Sequence, residues 1–189
     1  MTLKRYSSSG FTLIELLVTV AIIVILAALA APSLNEFAVK SRISSVGNEF
    51  TSSVLKARNE AISKNTCVTM CMSSTVDDAL PVCKTSDQDW QVGWIMFLNP
   101  SCNGSSNAPG AVEDILLARR TIGDDYYLNS VGNLRKLMFN SRGYPSLSGS
   151  DEFDIVYKAS NDPLTNKYAF NICIDKVGRT RTISTFSGC

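Results

Sequence analysis

The chain has 189 residues and a formal net charge of +1, and it contains no histidine. A charge so close to zero excludes a globally basic protein, so any contact with nucleic acid or lipid headgroups must come from a local patch. Without histidine the chain cannot build a Ser-His or Cys-His nucleophile pair, and it has no Walker-type glycine-rich phosphate loop. We therefore expect a protein that is not an enzyme and that holds no metal or cofactor.

A short polar leader precedes a long apolar segment. Residues 1–10 include Lys4 and Arg5, whose loss would leave a small net negative charge, and residues 11–31 form an apolar run interrupted by Glu15. As a helix this run would be about 31 Å long, which is close to the hydrocarbon thickness of a bilayer. We expect residues 1–10 to be a leader peptide on the cytoplasmic side and residues 11–32 to be a membrane helix.

Glu15 is the unusual residue of this segment, because a carboxylate inside a membrane helix is unfavourable unless it has a partner. No basic residue lies near it in the apolar run. A free amine made by cleavage directly before Phe11, on the same chain or on a neighbour, would be such a partner. The alternatives are an ordinary single-pass anchor and an ordinary secretory signal, which would be cleaved after the apolar run, where residues 28–32 imitate a cleavage site.

Helical periodicity continues beyond the apolar run. Pro32 predicts a bend rather than an end of the helix, because apolar residues resume at once at spacings of mostly three and four. This stripe predicts an amphipathic helix over residues 33–65 that packs on the following domain. Its apolar members are Leu34, Phe37, Ala38, Ile43, Val46, Phe50, Val54, Ala57, Ala61 and Ile62.

From residue 66 the pattern changes to the two-residue period of β-strands. Strands are predicted over residues 66–72, 90–98, 115–122, 126–131, 153–157, 168–174 and 178–184, and residues 137–144 predict a strand that enters a glycine turn. Polar segments predict loops at 74–89 and 99–111, and residues 160–167 predict a hairpin between two strands. One long helix followed by strands with short connections predicts an α+β fold, in which residues 66–189 form an antiparallel β-sheet domain.

The chain has six cysteines, at positions 67, 71, 83, 102, 173 and 189, and all follow the predicted membrane helix. An even number of cysteines outside the cytoplasm favours disulfides. Metal ligation is disfavoured, because there is neither a CxxC motif nor a histidine to complete a zinc site. Six cysteines allow 15 pairings; we favour Cys173 with Cys189, a bridge that would fasten the C-terminal tail.

The segment Gly10-Phe11-Thr12-Leu13-Ile14-Glu15, with the apolar run behind it, resembles the N-terminal signal of type IV pilins and type II secretion pseudopilins. The resemblance implies that a prepilin peptidase cleaves between Gly10 and Phe11 and methylates Phe11. It also implies that Glu15 pairs with the N-terminus of an adjacent subunit during assembly. The protein would be held in the lipid of the bacterial inner membrane by a single span, with its C-terminal domain in the periplasm, before it enters an extracellular pilus.

Four further segments are similar to the GspH/FimT/FimU family of minor pilins. They are residues 55–69, 90–97 and 139–143, and Gly178-Arg179-Thr180-Arg181, which is similar to the family's GRxR motif. The resemblance implies the type IV pilin fold and a low-copy subunit, often at or near the tip, that helps to start assembly. It implies other pilins, minor pilins and the inner-membrane assembly platform as partners. A minor pseudopilin of type II secretion is the alternative, and the loops at 74–89 and 99–111 depart from the family pattern.

Arg179 and Arg181 carry a second hypothesis. Residues two apart in a strand point to the same side about 6.6–6.8 Å apart, and the forked donors of arginine suit phosphate. Similar FimT proteins are DNA receptors in natural transformation, so the resemblance implies weak, salt-sensitive DNA binding by these arginines. The alternative is that Gly178 makes a turn and the arginines form a solvated strand face. Candidates to extend a basic patch are Lys176, Arg119, Arg120 and Lys167.

Overall fold

We analysed a computed structural model of the chain, which describes residues 10–157, 169–183 and 189. Most of the leader and the hairpin predicted at 160–167 lie outside these residues. The single α-helix of the described part, α1, is Leu13–Ser63. The strands are β1 (Val68–Met72), β2 (Gly93–Leu98), β3 (Ile115–Arg120), β4 (Tyr126–Ser130), β5 (Lys136–Phe139), β6 (Asp151–Tyr157), β7 (Phe170–Ile174) and β8 (Thr180–Ile183).

The helix α1 is continuous through Pro32. The chain divides into two compact units, Met1–Ala38 and Val39–Cys189. In the first unit every large apolar side chain from Phe11 to Phe37 is exposed, from 49% for Val18 to 81% for Leu13. Among the described helices, α1 has the length and composition needed to cross a membrane.

Within the second unit, α1 buries one face in the domain core. The buried members of the predicted stripe are Ile43, Val46, Phe50, Val54, Ala57 and Ala61. The other members, Leu34, Phe37, Ala38 and Ile62, are exposed. The first three belong to the first unit, in which the described large apolar side chains are all exposed, and Ile62 lies beside Gly143.

The strands form two four-stranded antiparallel sheets, with the orders β3-β2-β1-β5 and β4-β6-β7-β8. The antiparallel arrangement confirms the prediction. The division into two sheets was not predicted, because a two-residue period shows which face of a strand is buried and not which strand is its neighbour. The pairs β1–β5 and β4–β6 join strands that are not consecutive in the chain.

The strand predicted over residues 90–98 is wrong in its first part. Trp90–Val92 form a short 3-10 helix, and β2 begins at Gly93. Gly93 has a φ of +123°, and a Cβ atom there would lie 2.5 Å from the carbonyl oxygen of Arg119. The backbone of β3 therefore passes too close for any other residue, and the turn into β2 requires glycine.

Phe50 lies at the centre of the core, where residues of both sheets meet α1. The centre of its ring is 5.5 Å from the ring centre of Trp94 of β2 and 4.8 Å from that of Phe153 of β6, and the ring also contacts Trp90. Both buried indoles are hydrogen-bonded: Trp94 Nε1 donates to Ser53 Oγ at 3.1 Å, and Trp90 Nε1 donates to the Leu134 carbonyl at 2.8 Å. Helix and sheets thus share a single aromatic core.

Disulfides fasten the two long loops to β1 and to the residue just before it. Cys67 is bonded to Cys102 of the second loop, and Cys71 to Cys83 of the first. The loops also touch each other, because the Cys83 N–H donates to the Asn107 carbonyl at 2.7 Å. All six cysteines are in disulfides, so none is a metal ligand, and the described residues contain no group of three or more Cys, Asp or Glu placed to hold a metal ion.

Candidate functional site

The start of α1 is closed by a reciprocal pair of contacts between Thr12 and Glu15. The Glu15 N–H donates to Thr12 Oγ1 at 3.3 Å, and the Thr12 N–H lies 3.5 Å from the Glu15 carboxylate. This is a capping box, which satisfies two of the amide groups that a helix N-terminus leaves without partners. The role of Thr12 was not predicted, although the T-x-x-E spacing is itself a signature of this motif.

The capping box places the Glu15 carboxylate at the positive end of the helix dipole, where negative charge is favoured. Gly10 and Phe11 directly precede it, and both are exposed. A Cβ atom on Gly10 would have no neighbour within 4 Å. The three residues predicted for cleavage, methylation and assembly therefore lie together at one exposed helix end.

At the opposite end of the chain, a tight turn leads from β7 into β8. Asp175 Oδ1 accepts hydrogen bonds from the N–H groups of Val177 and Arg179, at 3.0 and 2.8 Å. Asp175 Oδ2 accepts from Arg179 Nε at 2.9 Å. Asp175 thus builds the turn and also pairs with the first arginine of the motif, a role that we did not predict from the sequence.

Gly178 has a structural role in this turn. Its φ is +75°, and a Cβ atom there would lie 2.8 Å from the Gly143 carbonyl oxygen and 3.1 Å from Arg58. Arg58 of α1 in turn donates from Nε to the same Gly143 carbonyl at 3.0 Å. Because Gly178 has no side chain, its turn, the turn at Gly143 and helix α1 can pack against one another.

Arg179 and Arg181 line one cavity of about 460 Å³. Arg181 lies opposite Cys173 in the β7–β8 register, and one Nη atom donates to the main-chain oxygen of Cys189 at 3.4 Å. Cys173 is bonded to Cys189, the pair that the sequence analysis favoured. Both arginines are exposed, so the arrangement can present two guanidinium groups to an anion.

Four further basic residues were predicted as candidates to extend a patch around these two arginines. Arg119 and Arg120 lie on β3 of the other sheet, where they pair with Glu49 and Asp77. Lys176 is exposed in the Asp175 turn, and Lys167 lies outside the described residues. Of the predicted extensions, Lys176 is therefore the one described residue beside the two arginines.

An exposed apolar helix with a capped glutamate, followed by a domain of antiparallel sheets, defines the chain as a type IV pilin-like protein. It belongs to the GspH family, because the family model described as Type II transport protein GspH matches residues 46–178. The model of the prokaryotic N-terminal methylation motif matches residues 5–31. The chain is thus a minor pilin or pseudopilin that carries an N-methylation motif, as the resemblance implied.

Solved structures share its fold at low sequence identity. Two crystal forms of the type IV minor pilin FimU of Pseudomonas aeruginosa are both 16% identical, with TM-scores of 0.57 and 0.52. The matches cover 78% and 74% of this chain and 92% and 91% of FimU. The minor pseudopilin EpsH of the Vibrio cholerae type 2 secretion system is 13% identical over 76% of this chain and 97% of EpsH, with a TM-score of 0.49. No curated protein matches the sequence. The FimU likeness confirms the predicted pilin fold.

Proposed function

We propose that the chain is a structural subunit, not an enzyme, that is cleaved after Gly10, methylated at Phe11 and built at low copy into a type IV pilus. It would stand at or near the tip and help to start assembly. The observation that carries this proposal is the exposure of every large apolar side chain from Phe11 to Phe37, in the segment that contains the Glu15 carboxylate. Such a surface requires an apolar cover, first membrane lipid and later the helices of other subunits.

Glu15 would direct the docking step. In the isolated chain its carboxylate lies 3.5 Å from the Thr12 N–H, a long contact that is easily exchanged. The N-terminal amine of an adjacent subunit would offer a charge-assisted hydrogen bond, which is stronger, above all in an apolar environment. Assembly would thus replace a contact within one helix by an ion pair between two helices.

Each segment predicted from the sequence has a role in this proposal. Residues 1–10 are the leader that the prepilin peptidase removes, and residues 11–32 anchor the chain in the inner membrane. Residues 33–65 form the amphipathic helix that packs on the domain, and residues 66–189 form the domain on the periplasmic side. The partners are other pilins, minor pilins and the inner-membrane assembly platform.

The N-terminus of the native protein tests the processing step. Mass spectrometry of the protein purified from membranes should find a chain that begins at Phe11 and carries one methyl group on its amine. Retention of residues 1–10, or trimming near Ala31, would contradict the proposal. A Gly10→Val variant should retain the leader.

A matched pair of substitutions tests the role of Glu15. Glu15→Leu should be processed normally and remain in the membrane, but it should be lost from sheared filaments because it lacks the carboxylate. Thr19→Leu is the control, since it also removes a polar side chain, one whose hydroxyl bonds to the Leu16 carbonyl of its own helix at 2.8 Å. Equal incorporation of both variants would contradict the docking role.

Copy number and position test the minor-subunit assignment. Quantitative mass spectrometry of sheared filaments should find this chain far below the major subunit, and gold-labelled antibody should mark filament ends. Uniform labelling along the filament would contradict a place near the tip.

Type II secretion is the alternative machine, because the matching family model is itself described as a type II transport protein. Deletion of the gene distinguishes the two. Loss of pili and twitching with secretion retained supports the pilus, whereas loss of exoprotein release with pili retained supports the secretion machine.

DNA binding is a second candidate function, favoured by the two exposed arginines that line one cavity. The full-length chain in a nonionic detergent should bind labelled duplex DNA at low salt and lose it as salt rises. Arg179→Gln with Arg181→Gln should abolish this binding, while Arg120→Gln on the other sheet should leave it unchanged. Deletion should then abolish transformation while pili remain.

A further inference from the structure

The two arginines of the GRxR turn have unequal partners. Arg179 Nε is 2.9 Å from the Asp175 carboxylate, although the Arg179 side chain is 77% exposed. Among the described residues, Arg181 contacts the main-chain oxygen of Cys189, at 3.4 Å. A phosphate group that approaches the cavity therefore meets one guanidinium that already holds a side-chain carboxylate.

We propose that Asp175 is a built-in competitor at this site: an incoming phosphate must displace the Asp175 carboxylate from Arg179, and this exchange limits the affinity for DNA. The inference rests on the proposed DNA-binding function and concerns its regulation. Arg179 contributes fully only when Asp175 releases it.

The exchange is possible because Asp175 divides its two oxygens between two tasks. Oδ1 accepts from the backbone N–H groups of Val177 and Arg179 and so holds the turn, while Oδ2 accepts from the guanidinium. Losing the second contact leaves the first intact, so the turn can persist while Arg179 swings to a phosphate. Burial raises the pKa of Asp175, but the hydrogen bonds from Arg179 and Val177 outweigh it and hold that pKa below its ordinary value. The competitor is therefore charged at neutral pH.

Asp175→Asn separates the two tasks. The amide oxygen of asparagine can still accept from the two backbone N–H groups, whereas its NH₂ group cannot accept from Arg179 Nε. Asp124→Asn is the matched control, because it removes the same charge beside β4, at the opposite edge of the sheet from β8. Asp175→Ser, whose hydroxyl can also accept in a turn, is a second variant that separates the charge from the geometry.

The measurement is the affinity of the full-length chain, in nonionic detergent, for labelled duplex DNA at several salt concentrations. Asp175→Asn should bind about two- to fivefold more tightly than the wild type, the range expected for release of an exposed ion pair. The slope of log K against log salt should steepen by about 0.9, for one more neutralised phosphate. Arg179→Gln should weaken binding more in the Asp175→Asn background than in the wild type, and this coupling is the decisive quantity.

The possible outcomes distinguish a failure of this inference from a failure of the proposed DNA-binding function. If the wild type binds through its arginines but Asp175→Asn and Asp175→Ser bind no more tightly than Asp124→Asn, Asp175 is only a turn residue and the inference is wrong. If no variant binds DNA at low salt, both the inference and the DNA-binding function are wrong. An equal loss for Arg179→Gln in the wild type and in the Asp175→Asn background would also overturn the inference.

Discussion

The Arg119 guanidinium on β3 forms a two-pronged ion pair with the Glu49 carboxylate on α1. Its Nη2 atom lies 2.8 Å from Glu49 Oε2, and its Nη1 atom donates to the Arg120 carbonyl at 2.7 Å. The guanidinium carbon is also 5.8 Å from the centre of the Trp94 ring. One side chain therefore joins the helix to the edge of the first sheet above a buried indole.

Substitution of Arg119 should destabilise the domain. Arg119→Met keeps much of the apolar stem but loses the bidentate pair and the cation–π contact, so we expect the free energy of unfolding to fall by about 1–2 kcal/mol. Arg120→Met is the control, because Arg120 is 75% exposed and pairs with an exposed Asp77; its loss should be below about 0.5 kcal/mol. Urea unfolding followed by the fluorescence of Trp90 and Trp94 measures both, and equal losses would contradict the assignment.

Gly178 should tolerate alanine poorly. A left-handed backbone costs a residue with a Cβ atom about 1–2 kcal/mol, and at Gly178 that atom would also lie 2.8 Å from the Gly143 carbonyl oxygen. Gly123→Ala is the matched control, because Gly123 also has a positive φ but has open space around the added atom. The loss of unfolding free energy should be clearly larger for Gly178→Ala. If the two losses are the same, the close packing of the two turns contributes nothing.

The N-terminal helix of the molecule follows from local sequence patterns. The T-x-x-E spacing of Thr12 and Glu15 produces the capping box, and the apolar run produces a helix that continues through Pro32. These features depend on residues within a turn or two of each other, so a pattern in the sequence suffices to predict them. The capping role of Thr12 was not predicted, although its T-x-x-E spacing to Glu15 is a local signal of the same kind.

The fold of the domain depends on contacts between residues far apart in the chain. Sequence patterns predicted fewer of these contacts. Strand positions and antiparallel pairing were predicted, but the pairing of β1 with β5 was not, because no local pattern encodes it. The same limit hid the Arg58 contact with Gly143, 85 residues away. For the cysteines a usable signal existed: Cys67 and Cys71 lie on one face of a predicted strand, and each following loop has one cysteine.

Removal of the two loop disulfides should be unequal in effect. In the chain-entropy model, the bond between Cys67 and Cys102, 35 residues apart, contributes about 4 kcal/mol and the bond between Cys71 and Cys83, 12 apart, about 3 kcal/mol. The paired alanine variants should therefore lose unfolding free energy in that order, with the aromatic core intact. Urea unfolding of each variant measures this. The reverse order would show that burial of Cys71 and Cys83 against Ile95 and Phe97 outweighs loop length.

Asp154 on β6 should favour folding of the domain at acidic pH and oppose it at neutral pH. Burial raises the pKa of Asp154, and the charges of Glu152 and Asp151 raise it further. A folded-state pKa above the unfolded value means that this residue favours folding at pH below about 3.8, its ordinary value, and that this contribution is lost as the pH rises through the folded-state pKa. At pH 7 the charged carboxylate therefore opposes folding, and within the described part of the chain its Oδ1 atom is buried without a hydrogen-bond partner.

Asp154→Asn should accordingly unfold at higher urea than the wild type at pH 7, and the difference should shrink as the pH falls to about 3.5. Urea is the suitable denaturant because it leaves the charges unscreened, unlike a guanidinium salt. Asp124→Asn, which removes an exposed carboxylate, should change the midpoint little at either pH. A loss of stability in Asp154→Asn that is present at pH 7 and disappears at about pH 3.5 would show instead that the ionised carboxylate stabilises the sheet.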